Sequence, residues 1–268
     1  IISNQQVRVM KKSTVDISVN KEIQGDAVIN SIKAGVTLDI LDGNLTVQGN
    51  IQDGVSINIK NGNITVEGCV GDNVNLRVFR GRIKVIKNIG KNLKVSQRIR
   101  TITENTYYYC CFSTTYKTIR TFGNTSVFGI QFYGNIGNNC KIDTDNTVYC
   151  RGNIGSQCYI KARDEVKINE LGAGSFVTSI YGTISMSNMK RNSTVTTTCN
   201  GKEKGKIKVD KVETDCLLKN KSGSIDIKSL GERSRIESNG GEIRVGVVNS
   251  YAQVKSVYGL IQATAIDK

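Results

Sequence analysis

The sequence predicts an all-β fold, a single-stranded triangular β-solenoid of about fourteen turns, each 18 to 19 residues long. Two observations carry this prediction. Glycine returns at a fixed step, every 19 residues through Gly43, Gly62 and Gly81, and after 18 residues from Gly223 to Gly241. Within each step three aliphatic positions recur about six residues apart, a pattern typical of three short strands per turn.

Each aliphatic column predicts the inward side of one face of the rod. In GRIKVIK, residues 81–87, Ile83 and Val85 alternate with basic residues, so they point inward while the charges point outward. The first column is Leu45, Ile64, Ile83, Ile102, Ile130, Val148, Val166, Ile184, Ile207, Ile225, Ile243 and Ile261. The second is Ile51, Val70, Ile89, Ile136, Ile154, Val212, Leu230, Val248 and Ile266. The third is Ile57, Leu76, Val95, Ile142, Ile160, Val177, Val195, Leu218, Ile236 and Val254.

The repeat runs through the whole chain, so residues 1–268 are predicted to form one continuous solenoid domain. Two intervals break the step, and insertions in a solenoid emerge as loops at its corners. The sequence therefore predicts loop insertions near 103–124 and near 196–204. The longer insertion contains TENTYYYCCFSTTYKTIRTFGN.

The amino-acid composition argues against some classes of enzyme and favours some classes of partner. The chain has no His, which argues against His-dependent hydrolases and acyltransferases, and the sequence predicts no catalytic residue, metal site or cofactor. A net charge of +14 favours anionic partners, although lysine-rich strand exteriors also keep a long sheet soluble. Neither a signal peptide nor a membrane-spanning stretch is evident, so the bacterial cytoplasm and secretion as an effector both stay open.

A family resemblance appears in GNITVEGCVGDNVNLRV, residues 62–78. It resembles the turns of bacterial β-helices such as the C-terminal domain of the division inhibitor MinC, the FapA family and the bactofilins. The resemblance covers residues 43–99 best. It implies a right-handed, non-catalytic solenoid that dimerises, polymerises or binds protein partners. The loops and the positive charge depart from that family, and no functional residue is carried over.

The candidate partner site lies where the charge is densest. Residues 80–100 contain eight basic side chains and no acidic one, and one turn separates Arg80 and Arg82 from Arg98 and Arg100. These four arginines are therefore predicted to stack at one corner, beside the tyrosine-rich loop. The full predicted site is Arg80, Arg82, Arg98, Arg100, Tyr107, Tyr108, Tyr109, Tyr116, Lys117 and Arg120. Such a loop suits a protein contact, stacking on sugars or bases, or a small core folded against the rod.

Cysteines and carboxylates offer two further candidates. An inward column of small residues is predicted at Cys140, Cys158, Ser175, Ser193, Cys216, Ser234 and Ala252. Cys140 and Cys158 would lie one turn apart, which permits a disulfide but also suits two reduced small hydrophobic residues. Cys110 and Cys111, on the loop, are expected to be more reactive.

Asp143 and Asp145 are predicted to point outward together, with Lys161 and Arg163 one turn away. They suit either a ladder of opposite charges between turns or a pair of catalytic carboxylates.

Three function classes follow. The first is a non-catalytic structural or interaction module that presents the loop and basic corner to a protein partner and self-associates through its faces or ends. The second is a binder of an anionic polymer or a membrane surface. The third is a polysaccharide-processing enzyme of the β-helix kind. The sequence favours the first and implies no small-molecule cofactor.

Overall fold

The computed structural model describes residues 15–98, 100–109, 112–121, 129–199 and 205–266, with 100–109 and 112–121 described by their backbone only. Every regular element in these ranges is a β-strand, and none of them contains a helix able to cross a membrane. In chain order the strands are β1 (Lys21–Ile23), β2 (Ala27–Ile29), β3 (Thr37–Asp42), β4 (Leu45–Val47), β5 (Ser56–Asn61), β6 (Ile64–Val66), β7 (Asn75–Arg80), β8 (Ile83–Val85), β9 (Lys94–Gln97), β10 (Arg100–Tyr109), β11 (Phe112–Thr121), β12 (Ile130–Phe132), β13 (Lys141–Thr144) and β14 (Val148–Cys150). They continue as β15 (Asn153–Ile154), β16 (Tyr159–Ala162), β17 (Val166–Lys167), β18 (Glu170–Leu171), β19 (Phe176–Ser179), β20 (Ile184–Met189), β21 (Thr194–Thr197), β22 (Ile207–Val212), β23 (Leu217–Asn220), β24 (Ile225–Leu230), β25 (Arg235–Ser238), β26 (Ile243–Val248), β27 (Gln253–Ser256) and β28 (Ile261–Ile266).

Two long parallel sheets form two faces of the rod. Sheet A has the order β1-β3-β5-β7-β9-β13-β16-β19-β21-β23-β25-β27, and sheet B has the order β2-β4-β6-β8-β12-β14-β17-β20-β22-β24-β26-β28. A third face begins as single parallel bridges, such as Val70 with Ile89, and continues through β15 and β18 into β20. Neighbouring strands belong to successive turns, so the all-β solenoid is confirmed, with about twelve turns in the described residues. Its handedness stays a prediction.

The three aliphatic columns form one continuous core up to Val248, whereas Ile261 and Ile266, predicted in the same columns, are exposed in the last described turn. Ile64 pairs with Ile83 in sheet B, and Leu76 pairs with Val95 in sheet A, as the repeat predicts. Ile64, Leu76 and Ile83 are fully buried, and each contributes about 2 kcal/mol to stability through burial of its apolar surface. Because every turn packs on the next, the outward side chains project from a rigid backbone.

Asparagine ladders stabilise the corner that joins sheet A to sheet B. The Asn63 backbone N–H and its amide both donate to Asn44 Oδ1, at 3.0 and 2.8 Å. In the next turn the Arg82 N–H donates to Asn63 Oδ1 at 2.9 Å. Each asparagine side-chain oxygen thus accepts a hydrogen bond from a backbone N–H that the corner removes from the sheet's own pairing.

The longer insertion is a β-hairpin rather than an irregular loop. Strands β10 and β11 pair antiparallel, with Ile102 opposite Ile119. The prediction that Ile102 belongs to the first core column is therefore wrong, and Ile83 pairs instead with Ile130 across the hairpin. This removes one of the fourteen expected turns. Val7, used to extrapolate another turn, lies outside the described residues, as do Cys110, Cys111 and residues 200–204.

Excising the hairpin should leave the rod folded. The turns before and after it pair directly, as in Val95 with Ile142, so the parallel sheet of the rod continues without residues 100–121. Replacing residues 99–128 by Asn-Gly copies the corner of Asn61 and Gly62 two turns away. We expect the midpoint of thermal unfolding to change by less than about 5 °C and the β-type circular dichroism spectrum to persist. Loss of that spectrum would contradict the register.

Candidate functional site

The predicted basic corner is only partly assembled. Arg80 donates from Nη1 to Asn61 Oδ1 at 3.4 Å, and its guanidinium carbon lies 5.5 Å from the centre of the Phe79 ring. Arg82 is exposed at the same corner. Its neighbour in the next turn is Gly129 rather than Arg100, because the chain leaves the rod at the hairpin. The four arginines therefore do not form one stack.

Arg98 is held by a carboxylate. Its Nη2 lies 2.8 Å from Asp143 Oδ2 and its Nη1 lies 3.3 Å from Asp143 Oδ1, a two-pronged ion pair between neighbouring turns. Asp143 also lies opposite Lys161 in the register of sheet A, as the charge ladder predicts. This geometry favours the charge ladder over a catalytic carboxylate pair.

The remaining predicted site residues lie on the hairpin, for which only the backbone is described. Tyr107, Tyr108 and Tyr109 lie opposite Thr114, Ser113 and Phe112; Tyr116, Lys117 and Arg120 lie opposite Asn105, Glu104 and Thr101; and Arg100 lies opposite Thr121. The hairpin begins two residues after Arg98, next to the corner of Arg80 and Arg82. The topology thus places the base of the hairpin beside the basic residues, whereas Tyr107, Tyr108 and Tyr109 end β10 at the far end of the hairpin. The role of these tyrosines in binding stays a prediction.

A second group of outward residues, the B-face cluster, was not predicted. It consists of Lys84, Gln131, Tyr133, Tyr149, Arg151 and Lys167. The register of sheet B places Lys84 beside Gln131, Gln131 beside Tyr149, and Tyr149 beside Lys167, in four successive turns. The side chains alternate with buried neighbours along each short strand, so all of them face outward.

Cations surround the two tyrosines of the B-face cluster. Lys84 Nζ lies 5.6 Å and the Arg151 guanidinium carbon 5.8 Å from the centre of the Tyr133 ring. Lys167 Nζ lies 5.9 Å from the centre of the Tyr149 ring, and the two rings meet edge to face at 6.4 Å. These distances suit cation–π attraction, which holds the cations at fixed points on the surface.

A basic belt encircles the rod one turn before the hairpin. It consists of Arg82, Lys84, Lys87, Lys91 and Lys94. Within the part of the chain that the structure describes, none of these five makes an ion pair. Lys94 even lies directly opposite Lys141 in sheet A, an arrangement of like charges that disfavours folding.

The C-terminal turns have the opposite pattern. There, Lys219 Nζ lies 3.1 Å from Glu237 Oε2, and Lys206 Nζ lies 2.5 Å from Asp226 Oδ2. Further ion pairs join Lys228 to Asp210, Arg233 to Asp215, and Arg244 to Glu242. Residues 80–98 contain basic residues and no acidic one, whereas residues 205–266 contain both signs, so the excess of positive charge is denser in the belt than in the C-terminal turns.

The chain matches no protein-family model, no curated protein and no solved structure. Its architecture is that of a parallel β-solenoid.

A shallow groove on the outer face of sheet A offers a different surface. It measures about 430 Å³ and is lined by Leu41, Phe79, Arg77 and Arg98, among others. Leu41 is 46 % exposed and Phe79 is 43 % exposed, which is high for large apolar side chains. The groove could seat an apolar side chain of a partner beside a cation.

The cysteine column forms a hydrogen-bonded ladder inside the rod. The Cys140 N–H donates to Cys158 Sγ at 3.4 Å, and the Cys158 N–H donates to Ser175 Oγ at 3.0 Å. Both thiols are buried and free, each 3.3 Å from the Gly137 carbonyl oxygen. Across the described ranges, no three cysteine, aspartate or glutamate side chains come close enough to hold a metal ion.

The buried thiols of Cys140, Cys150 and Cys216 should be unreactive until the rod unfolds. Burial raises the pKa of Cys150 to about 12 and that of Cys216 to about 11, while the Cys158 contact and burial raise the pKa of Cys140. Because only the thiolate attacks a disulfide reagent, these three thiols should not react with such a reagent at pH 7.5 in the native protein. All 8 cysteines of the chain should react in denaturant without reductant. A smaller number of reactive thiols in denaturant would reveal a disulfide.

Proposed function

We propose that this protein is a non-catalytic binding module, in which the rigid solenoid presents uncompensated cations to an acidic macromolecule. The single observation that carries the proposal is the basic belt. The Lys94 and Lys141 side chains lie opposite each other, which disfavours folding, whereas in the C-terminal turns a lysine such as Lys219 has a carboxylate opposite it. A surface that tolerates this repulsion is well suited to an anionic ligand, which would relieve it.

The architecture supports a binding role over catalysis. The chain lacks His, and Asp143, one of the carboxylates considered for chemistry, is paired with Arg98. The resemblance of residues 43–99 to MinC, FapA-family and bactofilin turns agrees with a non-catalytic module. We extend the proposal to the hairpin, which begins beside the belt and would contribute its tyrosines and Lys117 to the same partner.

The belt can be tested by binding under a salt titration. The ligands are duplex DNA, RNA, acidic polysaccharide, polyglutamate and anionic vesicles. We expect saturable binding of at least one of them, with affinity that falls steeply as salt rises. Replacing Arg82, Lys87 and Lys94 by Gln should weaken that binding at least about tenfold and lower the salt slope by about two to three.

The matched control replaces three exposed C-terminal lysines, Lys208, Lys221 and Lys255, by Gln. It removes the same charge from the same fold, so binding should change less than about threefold if the belt is the site. Equal losses in both triple variants would show attraction by net charge alone and would overturn the proposal.

A protein partner in the groove is a second candidate. It is favoured by the exposed Leu41 and Phe79 side chains beside Arg98. If it is correct, Phe79→Ala should abolish binding of that partner while leaving the salt-dependent binding of polyanions intact.

Self-association also stays a prediction. In the last described turn Leu260, Ile261 and Ile266 are 60 %, 42 % and 74 % exposed. Light scattering during size-exclusion chromatography would detect assembly as a mass that rises with protein concentration.

A further inference from the structure

We propose that the B-face cluster binds an extended acidic polysaccharide that lies along the rod axis, with about one sugar per turn. This inference rests on the proposed function, because it names the substrate class and the place of binding for the same basic middle turns. It adds residues outside the belt, namely Tyr133, Tyr149, Arg151 and Lys167.

The first argument is the spacing of the cations. Lys84, Arg151 and Lys167 come from the first, third and fourth of four successive turns, through β8, β14 and β17. Successive turns lie about 4.8 Å apart, which is close to the length of one pyranose unit in an extended glycan. A polymer with one carboxylate per sugar can therefore keep its anions in step with the turns, so that several of them meet cations at once.

The second argument is the availability of the charges. In residues 15–98, 129–199 and 205–266, Lys84, Arg151 and Lys167 form no ion pair, and their contacts are with tyrosine rings. Their positive charge is thus held in place without being neutralised. Between them, Gln131 accepts a hydrogen bond from the Tyr133 hydroxyl at 3.3 Å. This pair supplies the neutral hydrogen-bonding groups that sugar hydroxyls require.

The third argument separates a glycan from a nucleic acid. Single-stranded nucleic acids bind to such surfaces by stacking their bases on exposed aromatic faces. Here Tyr133 has Lys84 of the preceding turn and Arg151 of the following turn near its ring, and Tyr149 has Lys167 and the Tyr133 ring. The ring surfaces are occupied, so a base would have to displace a cation. An acidic glycan needs the cations and leaves the rings in place.

The test measures binding of β-linked oligouronates, from dimers to octamers, to the full chain by titration calorimetry at low salt. We expect affinity to rise with length up to about four sugars and then to level off, because four turns carry the cluster. Replacing Lys84 and Lys167 by Gln should weaken tetramer binding at least about tenfold and lower the salt slope by about two. Neutral oligosaccharides of the same length should bind far more weakly.

The control replaces Lys208, which lies in the same outward column near Asp226, together with Lys255. It should change tetramer affinity less than about twofold, and both double variants should keep the wild-type unfolding midpoint because all four side chains face outward. Affinity that is independent of length, or that is insensitive to the Lys84 and Lys167 changes, would overturn the inference. Binding of single-stranded DNA through these lysines, without oligouronate binding, would overturn it and leave the proposed function standing. No polyanion binding at low salt would overturn both.

Discussion

Gly62→Ala should destabilise the rod by about 4 kcal/mol, through two separable causes. Gly62 has φ of 142°, a backbone conformation that an L side chain rarely adopts. A Cβ added there would also lie 1.9 Å from the Gly43 carbonyl oxygen of the preceding turn. The side chain cannot move away, because the Gly62 N–H is bound to the Arg80 carbonyl of the following turn at 2.8 Å.

Three other glycines separate the two causes. Gly54 has φ of 68°, but a Cβ added there would make only ordinary contacts, 3.8 Å from the Gly35 backbone, so Gly54→Ala should cost about 1 kcal/mol. Gly68 lacks the unusual φ, yet its Cβ would lie 2.0 Å from the Gly49 carbonyl oxygen, so Gly68→Ala reports the clash alone. Gly240 has neither constraint, and Gly240→Ala should stay within about 0.5 kcal/mol of wild type.

Denaturant unfolding of the four variants, followed by circular dichroism, measures the series. Each corner packs only on its neighbours, so a strained corner acts on the adjoining turns first. Limited proteolysis should therefore cut the Gly62→Ala variant near residues 43–81 before the rest of the rod opens. A Gly62→Ala variant as stable as Gly240→Ala would mean that the corners do not stack as described.

The core could be predicted because its signal is local and repeated. Residues such as Ile64, Ile83 and Ile130 occupy equivalent positions in successive turns, and the register confirms them. Ile102 misled the prediction because it follows Ile83 by the same 19 residues and alternates with polar neighbours. A hairpin strand and a solenoid strand share this alternation, and they differ only in their pairing partner, which short-range pattern does not encode.

The same error concealed the B-face cluster. If Ile102 occupied a rod turn, Lys84 would lie beside Thr103; with the hairpin outside the rod, it lies beside Gln131. Asn88 and Asn135, which hydrogen bond between the same two turns, are 47 residues apart in sequence. The cysteine column escaped this problem because Cys140, Cys158 and Ser175 follow the interruption at an almost regular step, although the sequence alone did not reveal their hydrogen bonds.

Asn220→Ala should cost about 3 kcal/mol, because this asparagine is buried and makes four hydrogen bonds. Its amide donates to the carbonyl oxygens of Gly205 and Ser224 at 2.8 and 3.1 Å. Its oxygen accepts from Thr197 Oγ1 at 2.7 Å and from the Ser222 N–H at 3.0 Å. Alanine would leave these partners buried without a replacement.

The control is Asn239→Ala, an exposed position at the same corner one turn later, which should change the free energy of unfolding by less than about 0.5 kcal/mol. Asn220→Asp distinguishes lost hydrogen bonds from lost volume, since it keeps the shape. The carboxylate would face the Gly205 and Ser224 carbonyl oxygens, which raises the folded-state pKa above the unfolded value of about 3.9.

A raised folded-state pKa means that the introduced carboxyl group binds its proton more tightly in the native variant than in the unfolded chain. The stability of Asn220→Asp relative to wild type should therefore be greatest near pH 4 and fall as the pH rises to 7. Comparison with wild type at each pH removes the contribution of surface carboxylates such as Asp16, whose pKa is lowered to about 2 by hydrogen bonds from Ser31, Lys33 and Asn30. A pH-independent difference would show that packing volume, and not the amide's hydrogen bonds, stabilises this corner.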